Sequence, residues 1–121
     1  SNDFREIIIK MEEGDTEVQL GLEIYCYRIK KFIGAYSAVL GPVDALVFTG
    51  GVGENSSWVR KESLKGLDWM GIKLNDSLNR NVEIPGSIKS KDSPVEILVL
   101  PSLEEWEIAS QVAQLIKITS S

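Results

Sequence analysis

The sequence contains no histidine and a single cysteine, and these absences exclude several kinds of site. Without histidine, the chain lacks the most common general base. Cys26 cannot form a disulfide within the chain, and it falls on the apolar stripe of a predicted helix, so we interpret it as a small core residue. No apolar run is long enough to cross a bilayer, and no basic-then-apolar leader marks export. A chain that starts in the middle of a protein would lack such a leader in any case.

Basic residues are also few, because 13 lysines and arginines stand against 18 acids and are scattered along the chain. The net charge of −5 argues against a nucleic-acid partner. It does not exclude ATP, because backbone amides and a single arginine can hold phosphate whatever the overall charge. A hydrophobic content of 43% over 121 residues predicts a globular domain with its own core.

The central feature of the chain is an apolar run that passes directly into glycines. Residues 45–48 read Ala-Leu-Val-Phe, which is typical of a strand buried on both faces of a parallel sheet. The three glycines of residues 50–53 allow positive φ and the close approach of a ligand, and Asn55 and Ser56 offer caps for a helix over about 57–67. Free amides at a helix N-terminus favour anions, so the stretch predicts a nucleotide or anion site.

Three kinds of nucleotide-binding loop compete for this stretch. A P-loop needs a lysine followed by serine or threonine at the end of the turn, and none is present. A dinucleotide fingerprint, G-x-G-x-x-G, is matched only in part, because residues 51–56 end in serine. The third interpretation is a resemblance: residues 44–60, Asp-Ala-Leu-Val-Phe-Thr-Gly-Gly-Val-Gly-Glu-Asn-Ser-Ser-Trp-Val-Arg, closely resemble the acetate kinase family of acyl-phosphate-forming kinases. The similarity continues through Gly66-Leu67 and Gly71-Ile72, whereas related butyrate kinases share the glycines but not the Gly-Glu-Asn-Ser.

The resemblance implies which residues hold the nucleotide. In that family the glycine turn and its asparagine contact the adenosine of ATP, and an Asp-x-Arg triplet lies beside the adenosine. The residues that it assigns to the nucleotide are Asp3, Phe4, Arg5, Gly51, Val52, Gly53, Glu54 and Asn55. It assigns no catalytic residue to this chain.

Local structure alone can also account for several of these residues. Asp3 can cap the first helix, and we keep both roles for it. Phe4 suits the adenine face and the forked cation of Arg5 suits ribose or phosphate, so we favour binding for Arg5. For Asn55 an Asx cap competes with reading a purine or ribose edge, and we favour the latter. We interpret Glu54 more simply, as a charge near a helix start.

A second buried strand, Val95 to Leu100, ends at Pro101 and leads into a predicted helix. Ser102 and Glu105 have the spacing of a capping box, which accounts for Glu105. The resemblance matches Glu104 to an acid near the magnesium of MgATP, and one carboxylate is sufficient because water and phosphate oxygens complete the shell. The alternative is a first-turn acid that interacts with the helix dipole, and we favour the metal role.

The predicted fold is α/β, built from two parallel βα units. A long helix opens at Asp15 and ends at Gly41-Pro42, and its apolar stripe is typical of a central packing helix. A short strand over 71–74, a brief helix beginning at 75–77 and a surface loop over 81–94 with an edge strand near Ile88 follow. Ligands bind at the carboxyl ends of strands in such sheets, so Asn55 and Glu104 are expected on one rim.

The family further implies what the whole protein is and does. Its members have a ribonuclease-H-like fold, shared with sugar kinases, heat-shock chaperones and actin, and they are about three times longer than this chain. Residues 1–121 would be the distal half of the second, nucleotide-binding domain, with an open sheet edge that favours dimers. The implied enzyme is cytoplasmic and homodimeric. It binds Mg²⁺ with ATP or ADP, and it phosphorylates acetate through upstream residues.

Two other functions remain open at this stage. A kinase for propionate or another short carboxylate is one, because the selecting pocket lies upstream. A non-catalytic α/β module that binds a nucleotide or a partner is the other. The fragment by itself is predicted to be inactive, since the histidine and arginines that act on the transferred group lie upstream in the family. Neither a nucleic acid nor a membrane is expected as a partner.

Overall fold

The computed structural model describes residues 2–102, 110 and 112–114, and side chains within them from Arg5 onward. In this part of the chain, a small sheet is surrounded by helices, and no helix is long and apolar enough to cross a membrane. The elements are α1 Asn2–Glu12, α2 Thr16–Leu40, β1 Ala45–Phe48, α3 Gly50–Asn55, α4 Ser57–Leu64, a 3-10 turn Asp68–Met70, α5 Asp76–Arg80, β2 Gly86–Ser87 and β3 Glu96–Val99.

Strand β3 is the centre of the sheet. It pairs in parallel with β1, where Leu46 lies opposite Ile97, and antiparallel with β2, where Ser87 lies opposite Leu98. Every residue of β3 is buried, whereas only Phe48 is buried in β1. The predicted parallel pair is therefore confirmed. The prediction that β1 is buried on both faces is wrong within the described residues, because residues 45–47 are only partly buried.

The core lies between β3, the end of β1 and helix α4. Ile97 and Val99 pack in one cluster with Leu64 and with residues of the following segment. The remaining buried members of this cluster are Phe48, Leu67, Ile72, Ile88 and Val95. The helix predicted over about 57–67 is confirmed as α4, although it ends at Leu64 and the buried residue Leu67 lies beyond it.

Local signals at helix ends are confirmed at three positions. Asp15 caps α2, where its side chain accepts a hydrogen bond from the amide of Val18 at 3.1 Å. Gly41 ends that helix with φ of +82°, which only glycine adopts easily. Asn75 caps α5 and accepts from the amide of Leu78 at 2.9 Å.

The segment between α4 and β3 is less regular than predicted. The strand expected over 71–74 contributes a single bridge, between Leu74 and Lys89. The small edge strand near Ile88 is confirmed as β2. Ile88 itself is fully buried, so the loop over 81–94 is anchored in the core and is not only a surface feature.

Helix α2 packs on α4 with only part of its apolar stripe. Leu22 is buried, and so is Cys26, whose predicted core position is confirmed at 1% exposure. The rest of the apolar stripe, predicted to be that of a central packing helix, is open within the described residues: Phe32 and Tyr36 are each 63% exposed. Together with neighbouring residues of α2 and the outer side of β1, they line a groove of about 450 Å³.

Candidate functional site

The glycine stretch after β1 forms a short helix and not an open turn. Of the three glycines of this stretch, Gly50 alone takes a positive φ, +81°, at the junction between β1 and α3. Gly53 is needed for another reason. A Cβ atom there would lie 3.3 Å from the Cβ of Phe48, so the bare backbone allows α3 to pack on the end of β1.

The ends of the two parallel strands are joined directly by hydrogen bonds. Thr49, which follows β1, donates from Oγ1 to the carbonyl of Pro101 at 2.9 Å. Glu54 accepts with Oε1 from the amide of Ser102 at 3.0 Å and from its hydroxyl at 3.3 Å. The segments that follow β1 and β3 therefore meet at the same edge of the sheet, and we call the meeting point of Thr49, Glu54, Pro101 and Ser102 the rim.

Glu54 lies in the last turn of α3, three residues before the start of α4 at Ser57, and its carboxylate faces the segment after β3. The predicted metal ligand Glu104, two residues beyond Ser102, lies outside the described residues, as does Glu105. Its position on the rim stays a prediction.

Asn55 ends helix α3 and is exposed. Its Nδ2 donates to the carbonyl of Gly51 at 2.8 Å, and among the described residues its Oδ1 has no hydrogen-bond partner. It does not cap the next helix. That cap is Ser56, whose hydroxyl accepts from the amide of Val59 at 3.1 Å. The Asn55 amide oxygen is therefore available among the described residues as an acceptor, which is one of the groups that reading a purine or ribose edge requires.

The start of the chain lies close to α3. A cavity of about 420 Å³ is lined by Ile7 of α1, by Val52 of α3 and by Tyr25 with other α2 residues. Arg5 lies on α1, two residues before Ile7, and is exposed. Asp3 and Phe4 belong to α1, but their side chains lie outside the described ones. The structure therefore brings α1 next to the glycine helix, on an apolar cavity.

Arg60 and Asn79 have structural roles that were not predicted from the sequence. Arg60 is 3% exposed, and its guanidinium donates to the carbonyls of Gly53 and Glu54, each at 3.0 Å. Burial lowers the pKa of Arg60 from its ordinary value. The sign of burial that the sequence offered was the position of Arg60 directly after Val59, in the part of α4 that is buried.

The described carboxylates do not assemble a metal site on their own. Among the described residues no group of three or more histidine, cysteine, aspartate or glutamate side chains is placed to hold a metal ion. The carboxylate that the structure describes on the rim is Glu54, and its Oε1 already accepts hydrogen bonds from Ser102. Mg²⁺ bound with a nucleotide needs only one or two carboxylates, because phosphate and water oxygens supply its other ligands, so such an ion does not require a cluster of acids.

Comparisons with known proteins agree with one another. A family profile described as the acetokinase family matches residues 1–110. Acetate kinase from Syntrophobacter fumaroxidans is 50% identical over 119 residues, which cover 97% of this chain and 29% of that protein. Acetate kinase from Methanosarcina thermophila is 45% identical over 119 residues, with the same coverage of both chains.

Solved structures give the same result. The crystal structure of Porphyromonas gingivalis acetate kinase matches with a TM-score of 0.80 at 38% identity, over 96% of this chain and 29% of that one. A propionate kinase from Francisella tularensis matches with a TM-score of 0.74 at 37% identity, over 87% and 27%. The likeness confirms the predicted ribonuclease-H-like α/β fold, and the chain spans less than a third of these relatives.

Proposed function

Because this chain belongs to the acetokinase family, we propose that it is the C-terminal, nucleotide-binding part of an acetate kinase. The whole enzyme would transfer the γ-phosphoryl group of ATP to acetate, reversibly, giving acetyl phosphate and ADP. The observation that carries the proposal is the rim, where Glu54 accepts two hydrogen bonds from Ser102. Strand ends joined in this way form the usual ligand edge of an open α/β sheet.

The adenosine is assigned to the α1–α3 side of the rim. The apolar cavity lined by Ile7 and Val52 has the character of a purine site, and exposed Asn55, at the end of the helix that carries Val52, supplies Oδ1 as a hydrogen-bond acceptor. Bare backbone at Gly51 would allow close approach of the sugar. The family resemblance also assigns Gly53 to the nucleotide, although its own bare side packs on Phe48. The remaining contacts are assigned by the family resemblance to Asp3, Phe4 and Arg5 on α1, with Glu54 beside them.

Magnesium is assigned to Glu104. Ser102 is held to Glu54, which fixes the start of the segment that carries Glu104. When bound, the ion would neutralise charge on the phosphates of ATP. The protein would contribute one carboxylate and the position of the nucleotide, and phosphoryl transfer depends mostly on positioning and charge stabilisation.

This segment alone is proposed to be inactive and incomplete. It contains no histidine, and the family resemblance places the groups that act on the transferred phosphoryl upstream. The exposed stripe of α2 and the outer side of β1 support a domain that continues beyond these residues. The groove also suits the packing of a second subunit, so we propose a homodimer, working in the cytoplasm where ATP is available.

Propionate is the second candidate substrate. The likeness to a propionate kinase at 37% identity supports it, and the pocket that selects the carboxylate is expected upstream of this chain. Acetate is preferred because the curated relatives named above are acetate kinases. Acyl phosphate formation by the full-length enzyme with acetate, propionate and butyrate decides between them, with the highest kcat/KM expected for acetate.

Calorimetric titration of the full-length enzyme with ADP and Mg²⁺ tests the nucleotide site. Asn55→Ala should weaken ADP binding about tenfold, which corresponds to about 1.4 kcal/mol. The matched control is Asn81→Ala, because Asn81 is also exposed and its Nδ2 donates in the same way to the carbonyl four residues earlier, Ser77, at 2.9 Å. Equal ADP affinity in the Asn55 and Asn81 variants would contradict the assignment, and a wild type that forms no acyl phosphate would contradict the activity.

A further inference from the structure

Arg60 is a buried cation that is held without an acid among the described residues. Its Nε donates to Oδ1 of Asn79 at 2.7 Å, and one terminal nitrogen donates to the Asn79 carbonyl at 2.9 Å. The other terminal nitrogen donates to the carbonyls of Gly53 and Glu54. Four of the five guanidinium N–H groups are thus committed to fixed acceptors on α3 and α5.

Asn79 completes the arrangement from the far side. It is 2% exposed, and its Nδ2 donates to the carbonyl of Ser57, the first residue of α4, at 2.9 Å. One side chain of α5 therefore holds both the Arg60 guanidinium and the backbone at the junction of α3 and α4. The four hydrogen bonds of Arg60 and the bond of Asn79 to Ser57 tie the three helices α3, α4 and α5 together.

Stability alone does not explain a buried cation at this position. Removing a guanidinium from water is costly, and apolar side chains of similar volume often stabilise a core as well or better. The guanidinium adds directional hydrogen bonds, because its rigid fork determines where its acceptors lie. Two of those acceptors are the carbonyls of Gly53 and Glu54, which directly precede Asn55.

The geometry points to Arg60 and Asn79 as positioning residues for nucleotide binding. They fix the last turn of α3, and through it the direction of the Asn55 amide and the reach of Glu54 to the rim. Neither residue contacts the nucleotide in this arrangement. The inference rests on the proposed function, since it takes α3 as the element that holds adenosine.

Steady-state kinetics of the full-length enzyme separate positioning from a general loss of structure. Arg60→Lys keeps the charge and loses the fork, and Asn79→Asp keeps the acceptor for Arg60 but loses the donor to Ser57. We expect KM for ATP to rise about tenfold in Arg60→Lys and about fivefold in Asn79→Asp. KM for the carboxylate should stay within about twofold, since the pocket that selects the carboxylate is proposed to lie upstream of this chain.

The matched control variants come from α5, the helix that carries Asn79, and from its C-terminal end. Arg80→Lys and Asn81→Asp change exposed residues of α5 and its C-terminal end, and they should leave both KM values unchanged. Equal changes in both KM values, or a lower Tm with an unchanged KM for ATP, would overturn the inference. If Arg60→Lys does not fold, Asn79→Asp decides by the same criteria.

Affinity for ADP, measured by titration on the same variants, distinguishes this inference from the proposed function. A wild type that binds ADP but phosphorylates no carboxylate overturns the activity only, and a lower ADP affinity in the variants still supports positioning. Unchanged ADP affinity in both variants of an active enzyme overturns the positioning role only. A wild type that binds no ADP overturns both.

Discussion

The two apolar surfaces of this molecule, one on β3 and one on α2, differ sharply in how much of each is buried. On β3 every residue is buried, and Ile97 and Val99 are fully enclosed by side chains from the helices and loops around them. On α2 a stripe of comparable hydrophobicity remains open, with Val39 83% and Leu40 73% exposed. The first surface is an interior, and the second has the character of an interface. The rim lies at the end of the first, which is why its geometry is defined by this segment alone.

Truncation in the β3 core should produce the largest effect. Ile97→Ala removes a fully buried side chain and leaves a cavity, so we expect a loss of about 3 kcal/mol in the free energy of unfolding. Urea denaturation measures it. Ile24→Ala on α2 is the matched control, because Ile24 is 48% exposed and should cost less than about 0.5 kcal/mol in this chain alone. Similar losses in both variants would remove the distinction between the two surfaces.

The open stripe should behave differently in the isolated segment and in the full-length enzyme. Phe32→Ala should cost less than about 0.5 kcal/mol in the segment, because Phe32 is 63% exposed there. In the full-length enzyme, where we propose that the groove is covered, the loss should reach about 2 kcal/mol. Denaturation of both proteins provides the comparison. An equally small loss in the full-length enzyme would show that the stripe stays exposed.

The hydrogen bonds across the rim should make a smaller contribution. Glu54→Ala removes the acceptor of the amide and hydroxyl of Ser102, and we expect a loss of about 1 kcal/mol. Faster amide hydrogen exchange at Ser102 should accompany it. Glu54→Gln keeps the Oε1 acceptor and serves as the control, with exchange close to that of the wild type. Unchanged exchange at Ser102 in Glu54→Ala would mean that the strand ends are held by other contacts.

The smallest effect is expected at the exposed carboxylate of Asp92, in the loop that precedes β3. A hydrogen bond from Ser90 and the nearby Lys73 ammonium lower the pKa of Asp92. Ser90→Ala should raise that pKa toward its ordinary value. The control is Ser77→Ala, which changes an exposed residue of α5 and should leave that pKa unchanged. A carboxylate with a lowered pKa stabilises the fold above its unfolded-state pKa, and this contribution is lost as the pH falls through the folded-state pKa. Carboxyl NMR titration measures the shift, and an unchanged pKa in Ser90→Ala would assign it to Lys73 alone.

Signals that act within a few residues were sufficient to predict much of the fold. Asp15, Gly41 and Asn75 mark helix ends through their own side chains or backbone, so no distant contact is needed to place them. The parallel pairing of β1 with β3 also followed, because both runs are apolar and bounded by turn residues.

Features that depend on distant contacts were not predictable in the same way. Apolar periodicity shows that α2 has an apolar stripe, but it does not show whether that stripe meets this segment or another part of a protein. The helical form of residues 50–55 was missed because glycine permits helical as well as left-handed φ, and packing against Phe48 selects between them. Arg60 and Asn79 were missed because their roles require contacts across 19 residues of sequence.

We infer that the glycine helix and the start of α1 hold adenosine at the rim. A crystal structure of the full-length enzyme with ADP and Mg²⁺ tests it most directly. We expect the purine in the cavity between Ile7 and Val52, with Oδ1 of Asn55 within hydrogen-bonding distance of the base or ribose. A nucleotide bound elsewhere, with that cavity empty and Asn55 facing solvent, would contradict it.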